Sequence, residues 1–400
     1  MKTGHLHLFI PGPTNVPDSV RRAMNVPMQD MRAPDFGDLT LGLFRDLKAL
    51  LRTRTGEVML FPGTGTGAWE AAITNTLNPG DTVLMARFGQ FSTLWAQMAE
   101  RLGLRVEVID VPWGEGVPLA EFQRRLEADA KDEIKAVFVT QNETATGVAS
   151  NVAAVRHVMD RAFHEALLFV DGVSSIGAMD FRMDDWGVDL AITGSQKGLM
   201  MPAGLGVLGV SRKALNAARH ASMRRAYFEF SDMLAMNRDG YFPYTPPTQL
   251  LHGLRAALDR IAQEGLDNVI ARHARLAEGV RRAVRAWGLD LVAVHPSLYS
   301  DSVSAIRVPD DVDARDVIRI AYEDYNTSLG SGLSQLAGKA FRIGHLGDLN
   351  EGMCLTALAV TEMALARAGV PVVLGSGVAA AQGWYAFGQD RTAAIRLAAE

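Results

Sequence analysis

What the chain lacks narrows the field before anything it contains. A single cysteine, Cys354, in 400 residues excludes an intramolecular disulfide and fits a reducing compartment. No apolar run reaches the roughly 18 residues of a membrane-spanning helix. The opening Met1-Lys-Thr-Gly-His-Leu-His-Leu-Phe-Ile10 is too short and too interrupted for the apolar core of a secretory signal. The closing Leu397-Ala-Ala-Glu400 is neither a peroxisomal nor a retention signal, so the expected location is the cytoplasm. There is no basic block, and 40 Lys and Arg against 45 Asp and Glu leave a net charge of -5, which argues against nucleic acid as a partner. The nine histidines show no His-x-x-x-His spacing, and no metal is expected. Internal repeats and low-complexity tracts are missing too.

What is present describes a globular α/β chain. At 48% hydrophobic and 21% charged residues it can bury the cores of two domains on the usual scale of about 100–200 residues each. After a turn-rich arm around Pro11-Gly-Pro13, helical spacing is predicted from Asp18 and over Phe36 to Leu51. Strand candidates then alternate with helices. The strands are Val58–Phe61, Thr82–Ala86, Val106–Val111, Ala136–Thr140, Ala166–Val170, Leu190–Thr193 and Leu205–Val210. The helices run from Ala68, over Phe91–Leu102, Leu119–Ala130, Val152–Glu165 and Ser211–Arg219. That alternation predicts a mostly parallel sheet covered by helices on both faces.

The texture then changes. Tyr227 to Tyr244 reads as aromatic and irregular, and Tyr244-Thr-Pro-Pro247 breaks the chain before a helix from Gln249 to Glu264. Beyond it come a charged helix Val269–Trp287, strands Asp290–Val294 and Val303–Val308, a helix Ala314–Glu323 and a strand-like Ala340-Phe-Arg-Ile343. The expected organisation is an arm (1–17), a large α/β domain (18–264) and a smaller C-terminal α+β domain (265–400).

Three features of the large domain could carry chemistry. Gly63-Thr-Gly-Thr-Gly67 joins a strand to a helix, so its amides and threonine hydroxyls would face an anion at a helix N-terminus. It matches neither the dinucleotide fingerprint nor the Walker pattern, and a merely structural glycine turn reads the same way. Asp171 ends an apolar strand; such a residue is commonly a helix cap or ion-pair partner. Its functional reading is a carboxylate that keeps a heteroaromatic nitrogen protonated. Lys197, in Thr193-Gly-Ser-Gln-Lys-Gly198, follows another buried strand. A lysine is commonly a solvated surface group; its functional reading is an amine that forms a Schiff base with an aldehyde and then moves protons. Phosphate cup, strand-end aspartate and strand-end lysine together are the protein parts that pyridoxal 5'-phosphate (PLP) needs.

The chain also resembles a known family, the class V aminotransferases of fold type I, in particular serine–glyoxylate and alanine–glyoxylate aminotransferases. The resemblance rests on Ile10-Pro-Gly-Pro-Thr14, Pro62-Gly-Thr-Gly-Thr-Gly-Ala-Trp-Glu70, Asn142-Glu-Thr-Ala-Thr-Gly147, Val170-Asp-Gly-Val-Ser-Ser175, Thr193-Gly-Ser-Gln-Lys197 and Phe341-Arg-Ile-Gly-His-Leu-Gly347. It implies Lys197 as the Schiff-base lysine, Asp171 as partner of the pyridine nitrogen and Val173 against one ring face. Thr64, Gly65, Thr66 and Gln196 would hold the phosphate, with Thr144 near the ring hydroxyl. Phe88 falls where the family stacks an aromatic residue on the other ring face, often tryptophan. Arg342 would clamp the substrate carboxylate, a task its planar fork suits, and Gly12 would line the substrate site. Thr245, with Tyr241 as a companion, would reach the cofactor phosphate of a neighbouring subunit, which implies a homodimer with shared active sites.

The expected reaction is a ping-pong transamination between small-molecule substrates. An amino acid, serine by preference, displaces Lys197 from the cofactor, and the freed amine moves the proton from Cα. Glyoxylate then takes the amino group and leaves as glycine. Aspartate and alanine remain open as donors, because aspartate–glyoxylate and alanine–glyoxylate enzymes share nearly all of these motifs; no second arginine for a side-chain carboxylate is singled out by the sequence, although Arg32, Arg87 or Arg225 could serve. A binding protein that keeps the pocket without turnover is the rival reading. Cysteine desulfurases share the fold class but use a loop cysteine, whereas Cys354 lies in the helix-like Met353–Leu358 and is expected only to pack.

Overall fold

The computed structural model describes residues 4–388, and Leu397–Glu400 therefore lie outside the described residues. The chain begins with strand β1 (His7–Phe9) and helices α1 (Asp18–Met24) and α2 (Pro34–Leu51). It then alternates through β2 (Glu57–Gly63), α3 (Gly65–Thr76), β3 (Thr82–Arg87), α4 (Gln90–Arg101), β4 (Arg105–Asp110), α5 (Leu119–Ala128) and β5 (Ile134–Thr140). A short hairpin of β6 (Asn142–Glu143) and β7 (Val148–Ala149) precedes α6 (Val152–Arg161), β8 (Leu167–Asp171), β9 (Leu190–Gly194), β10 (Gly204–Val210) and α7 (Arg212–Ala218). Three helices follow: α8 (Phe230–Asn237), α9 (Thr248–Glu264) and α10 (Leu266–Ala286). The last part holds β11 (Val303–Arg307), α11 (Ala314–Tyr325), β12 (Thr327–Ser331), β13 (Ala340–Gly344), α12 (Glu351–Arg367) and α13 (Ser376–Phe387).

Seven strands form the large sheet in the order β2-β10-β9-β8-β5-β3-β4. Strands β9 through β4 are parallel, and β10 runs antiparallel to both of its neighbours. The central β8 and β9 are buried along their whole length, which is why they read as unbroken apolar runs and not as alternating ones. Pro62 is tolerated in β2 because that strand stands at the sheet edge, paired only with β10. The chain passes outward from β3 to β4 and then returns to the other side of β3 as β5. The strand order thus reverses beside β3 and β5, and parallel sheets bind ligands beyond the strand ends at such a point.

A second sheet has the order β1-β12-β13-β11. Its strand β1 pairs parallel to β12, with Leu8 opposite Ser328, so the N-terminal segment is built into the same sheet as the C-terminal strands. The two larger of three apolar clusters among the described residues follow the two sheets, and α10 spans both: Val269 packs in the larger core, while Leu276, Val280 and Ala283 pack in the smaller one. Phe9 of β1 belongs to the smaller core as well.

Two local expectations fail for identifiable reasons. Asp290–Val294 is no regular strand: Val292 donates its N–H to Ala305 of β11, but Val294 turns away and donates to Gly114. The stretch from Tyr227 to Tyr244 is not irregular throughout, since α8 forms inside it with Glu229 accepting from the Ser231 N–H at 3.2 Å. Among the described residues no helix is long and apolar enough to cross a membrane.

Candidate active site

Lys197 follows β9 in a turn tied down on both sides. Ser195 donates its N–H to Leu205 O at 3.0 Å and its hydroxyl to Pro202 O at 2.7 Å. The N-terminal segment closes over this turn. Thr14 donates its N–H to Gln196 O at 3.1 Å and its hydroxyl to Lys197 O at 3.0 Å, and the Lys197 amine donates to Pro11 O at 2.5 Å. Gly12 has φ +115°, and a Cβ there would lie 2.6 Å from Lys197 Cε, so only glycine leaves the amine its place. Burial first, and the nearby Arg342 charge second, lower the Lys197 amine to about 8, with Asp171 opposing.

Asp171, the last residue of β8, sits opposite Thr140 of β5 in the parallel register. Its Oδ1 accepts the Val173 N–H at 3.0 Å. Burial raises its carboxyl to about 7; the Val173 hydrogen bond opposes the rise and the Glu143 charge adds to it. A carboxylate kept this dry without an adjacent cation is costly, and a protonated ring nitrogen would relieve it.

The glycine-rich turn meets the expectation of a cradle. Thr64 is the extended N-cap of α3 and its side chain does not cap the helix. A Cβ on Gly65 would strike the Val173 side chain, 3.2 Å from Cγ1. The Gln196 Oε1 atom is buried without a hydrogen-bond partner. It converges with the Gly65 N–H on Gly194, where a Cβ would stand 2.9 Å from the first and 3.2 Å from the second. An unpartnered amide beside the open N–H groups of a helix start suits a phosphate. Thr66 is exposed on the first turn of that helix.

Arg342 lies in β13 between Ala305 of β11 and Gly330 of β12. It is 7% exposed, and burial lowers its guanidinium to about 10, with Glu143 opposing. Its Nε donates to Ser331 O at 2.8 Å and its Nη1 to Thr144 O at 2.9 Å. With Nε and one N–H of Nη1 occupied, Nη2 and the second N–H of Nη1 are what is left for a carboxylate. Pro11 packs on Gly330 next to Arg342: a Cβ on Gly330 would be 3.0 Å from both Pro11 Cδ and Arg342 Cβ. The same segment that receives the lysine thus borders the arginine.

Phe88 is fully buried just after β3, with its N–H on Ser92 Oγ at 3.1 Å. Thr144 is buried after β6, linked to Arg342 through its carbonyl. Tyr241 and Thr245 are held elsewhere: Tyr241 borders Gly37 of α2 and lines a cavity with Arg32 and Phe242, and Thr245 is exposed before α9. A residue that the motifs do not single out, Glu143, is wholly buried against the start of α4. The only hint of it in the sequence was an acidic side chain among small residues at the end of a strand pattern.

A buried amine, a dry carboxylate and a phosphate cradle gathered at strand ends suit one cofactor, PLP, and define a PLP-dependent transferase. The class-V aminotransferase model matches residues 44–339. A serine–glyoxylate aminotransferase of Hyphomicrobium methylovorum is 58% identical, over 97% of this chain and 96% of its own length. An L-aspartate–glyoxylate aminotransferase of Paracoccus denitrificans is 56% identical, over 94% and 96%. The solved structure of pyridoxamine–pyruvate aminotransferase from Mesorhizobium loti superposes with a TM-score of 0.90 at 29% identity, covering 96% of this chain and 98% of that one. The chain belongs to the class-V aminotransferase family and is a PLP-dependent transaminase. Gly12 and Arg342 lie outside the stretch matched by the family model.

Proposed function

We propose that the protein transfers the amino group of L-serine to glyoxylate, giving hydroxypyruvate and glycine. The observation that supports this best is the Lys197 amine, held on Pro11 O at 2.5 Å and lowered to about 8 by burial and the Arg342 charge. The uncharged amine, the form that attacks an aldehyde, is therefore more populated near neutral pH than in an ordinary lysine. PLP, when bound, supplies an aldehyde for the amino group and a ring that accepts the electrons of the Cα–H bond.

The chain's own groups do the rest. Arg342 binds the substrate carboxylate through Nη1 and Nη2, and so turns the Cα–H bond toward Lys197. The Lys197 amine takes the Cα proton and later returns one. With PLP bound, Asp171 would keep the ring nitrogen protonated, Val173 and Phe88 would flank the ring, Thr64, Gly65, Thr66 and Gln196 would hold the phosphate, and Thr144 would stand by the ring hydroxyl. Gly12 keeps the substrate side open. We assign Thr245 and Tyr241 to the cofactor of a second subunit in a homodimer with shared sites, the large domain to 18–264 and the small one to 265–400, and the cytoplasm as location.

Serine is favoured over aspartate because two of the three candidate arginines are already engaged. Arg87 makes a two-pronged pair with Asp110 at 2.7 and 3.0 Å, and Arg225 binds Glu229 at 3.0 Å and several carbonyls. Aspartate is the second reading, given the similarity to the Paracoccus denitrificans enzyme, and Arg32 would then receive its side-chain carboxylate. A single-turnover screen of serine, alanine and aspartate, followed as conversion to the pyridoxamine form, decides the donor. Serine is expected to react at least about tenfold faster than aspartate, whose second carboxylate would enter the site without a partner. Fast aspartate with silent serine overturns the choice.

A further inference from the structure

Glu143 occupies a place that the transamination chemistry does not explain. It is fully buried, and its carboxylate is met by donors alone. Its Oε2 accepts the N–H groups of Phe91 and Ser92 at 3.0 and 2.9 Å and the Ser92 hydroxyl at 3.1 Å, and its Oε1 accepts the Ala145 N–H at 3.1 Å. The first three donors belong to the opening turn of α4, where a negative charge is favoured by the helix dipole. The backbone before that turn closes in as well: a Cβ on Gly89 would stand 2.6 Å from Oε2. Ser92 Oγ in turn accepts the N–H groups of Phe88 and Gly89, both at 3.1 Å. On the Oε1 side, Ala145 is the neighbour of Thr144, whose carbonyl receives Arg342 at 2.9 Å.

We propose that Glu143 is a positioning residue whose two oxygens hold the two walls of the active site in register, Oε2 the Phe88 wall through α4 and Oε1 the Arg342 wall through the Ala145–Thr144 turn. The inference rests on the aminotransferase reading, since it takes Phe88 to cover the cofactor and Arg342 to clamp the substrate carboxylate. The charged groups whose fields reach Glu143 are Asp171 at the end of β8 and Arg342 in β13. The first is repelled by its charge and the second attracted. A buried carboxylate is kept despite its desolvation cost where several donors converge on it, and removing it leaves those donors unpaired.

The two oxygens have unequal loads, and this makes the idea testable. In Glu143→Gln the amide can keep its oxygen on the three donors of α4 only by turning its NH2 toward the Ala145 N–H. The Phe88 wall then survives and the Arg342 wall is disturbed. The variant is expected to bind glyoxylate, measured by calorimetry on the PLP-loaded protein, on the order of tenfold more weakly, with the dissociation constant of PLP from equilibrium dialysis changed by no more than about twofold. Glu143→Ala is expected to weaken both. If Glu143→Gln leaves glyoxylate affinity unchanged, or weakens PLP as much as glyoxylate, the proposal is wrong, and a lowered Tm with both affinities intact overturns it too. Donor turnover by the wild-type protein is measured separately. A wild type that binds PLP and glyoxylate but turns over no donor defeats the aminotransferase reading while the binding data still decide the role of Glu143.

Discussion

Two carboxylates in this molecule have been pushed in opposite directions. Glu278 on α10 receives Arg281, Arg282 and Arg285 at 3.0, 2.9 and 2.7 Å. Partial burial pushes its carboxyl up, but Arg281 and Arg285 outweigh that and leave it below its ordinary value. Asp171 has no such neighbour in contact. Burial dominates, and its carboxyl rises to about 7. The first arrangement is a helix-surface network that stabilises the fold modestly. In the second, folding alone does not use the charge well, and that is a mark of a site awaiting a cationic ligand. Lys197 and Arg342 belong to the same dry region, and both are lowered by burial.

The largest break in this contrast is expected from Lys197→Ala. Turnover should fall on the order of 10⁴-fold, since the group that moves the proton is gone. PLP should still bind through the cradle and Asp171, yet no longer be fixed to the chain by borohydride. A variant that keeps a borohydride-reducible chromophore and still transaminates would sink the mechanism. The Glu278 network, by comparison, should be irrelevant to turnover.

How much of this was visible in the sequence follows from how local each signal is. Asp171 and Lys197 could be read because each ends an unbroken apolar run, which sheet burial on both faces produces, and because glycines mark the turns that follow. The alternation of the large sheet was legible for the same reason. Strand β1 was not: three residues pair with Thr327–Leu329, over three hundred positions away, and nothing local in His7–Phe9 announces it. The partnership of Pro11 with Lys197 depends on that pairing. Glu143 stayed hidden because its importance lies in four donors from Phe91, Ser92 and Ala145, a convergence that spacing along the chain does not encode. Asp290–Val294 showed the converse, a strand pattern whose last residue found a different backbone partner in Gly114.

An intermediate effect is expected from Asp171→Asn in the cofactor-free protein. Asp171 has a folded value of about 7 against an ordinary 3.8. Its contribution to stability is therefore fully present below about 3.8 and is lost as pH rises toward about 7. Asparagine cannot ionise, so the variant escapes that loss. Tm measured at pH 5 and pH 8 should show the variant gaining on the wild type by a few degrees at the higher pH. Glu143, also raised by burial, titrates in both proteins, but its charge repels Asp171, so the variant also sheds that repulsion at pH 8. Lys197, being lowered, loses its contribution as pH falls through about 8 in both proteins, and in the variant it also lacks the opposing pull of Asp171. Adding PLP should abolish the wild-type deficit at pH 8, because the ring nitrogen gives Asp171 its cation. Parallel Tm curves for variant and wild type would mean that Asp171 is not the strained group proposed.

The smallest effect belongs to Glu278→Gln, which tests the other half of the contrast. Because its folded value is lowered, its stabilisation is present above the ordinary 4.5 and is lost as pH falls below that value. Between pH 5 and 8 the difference between variant and wild type should then be flat, at about 0.5–1 kcal/mol or roughly 1–2 °C in Tm. Salt at about 1 M should shrink it, since exposed pairs are screened over a few ångströms; Arg285, at 56% exposed, is the most open of the three partners. KM and kcat should not move. If Glu278→Gln instead changed the donor KM as strongly as a change at the strand ends does, the network on α10 would be coupled to the active site. The distinction between charges that hold the fold and charges held ready for chemistry would then fail at its plainest example.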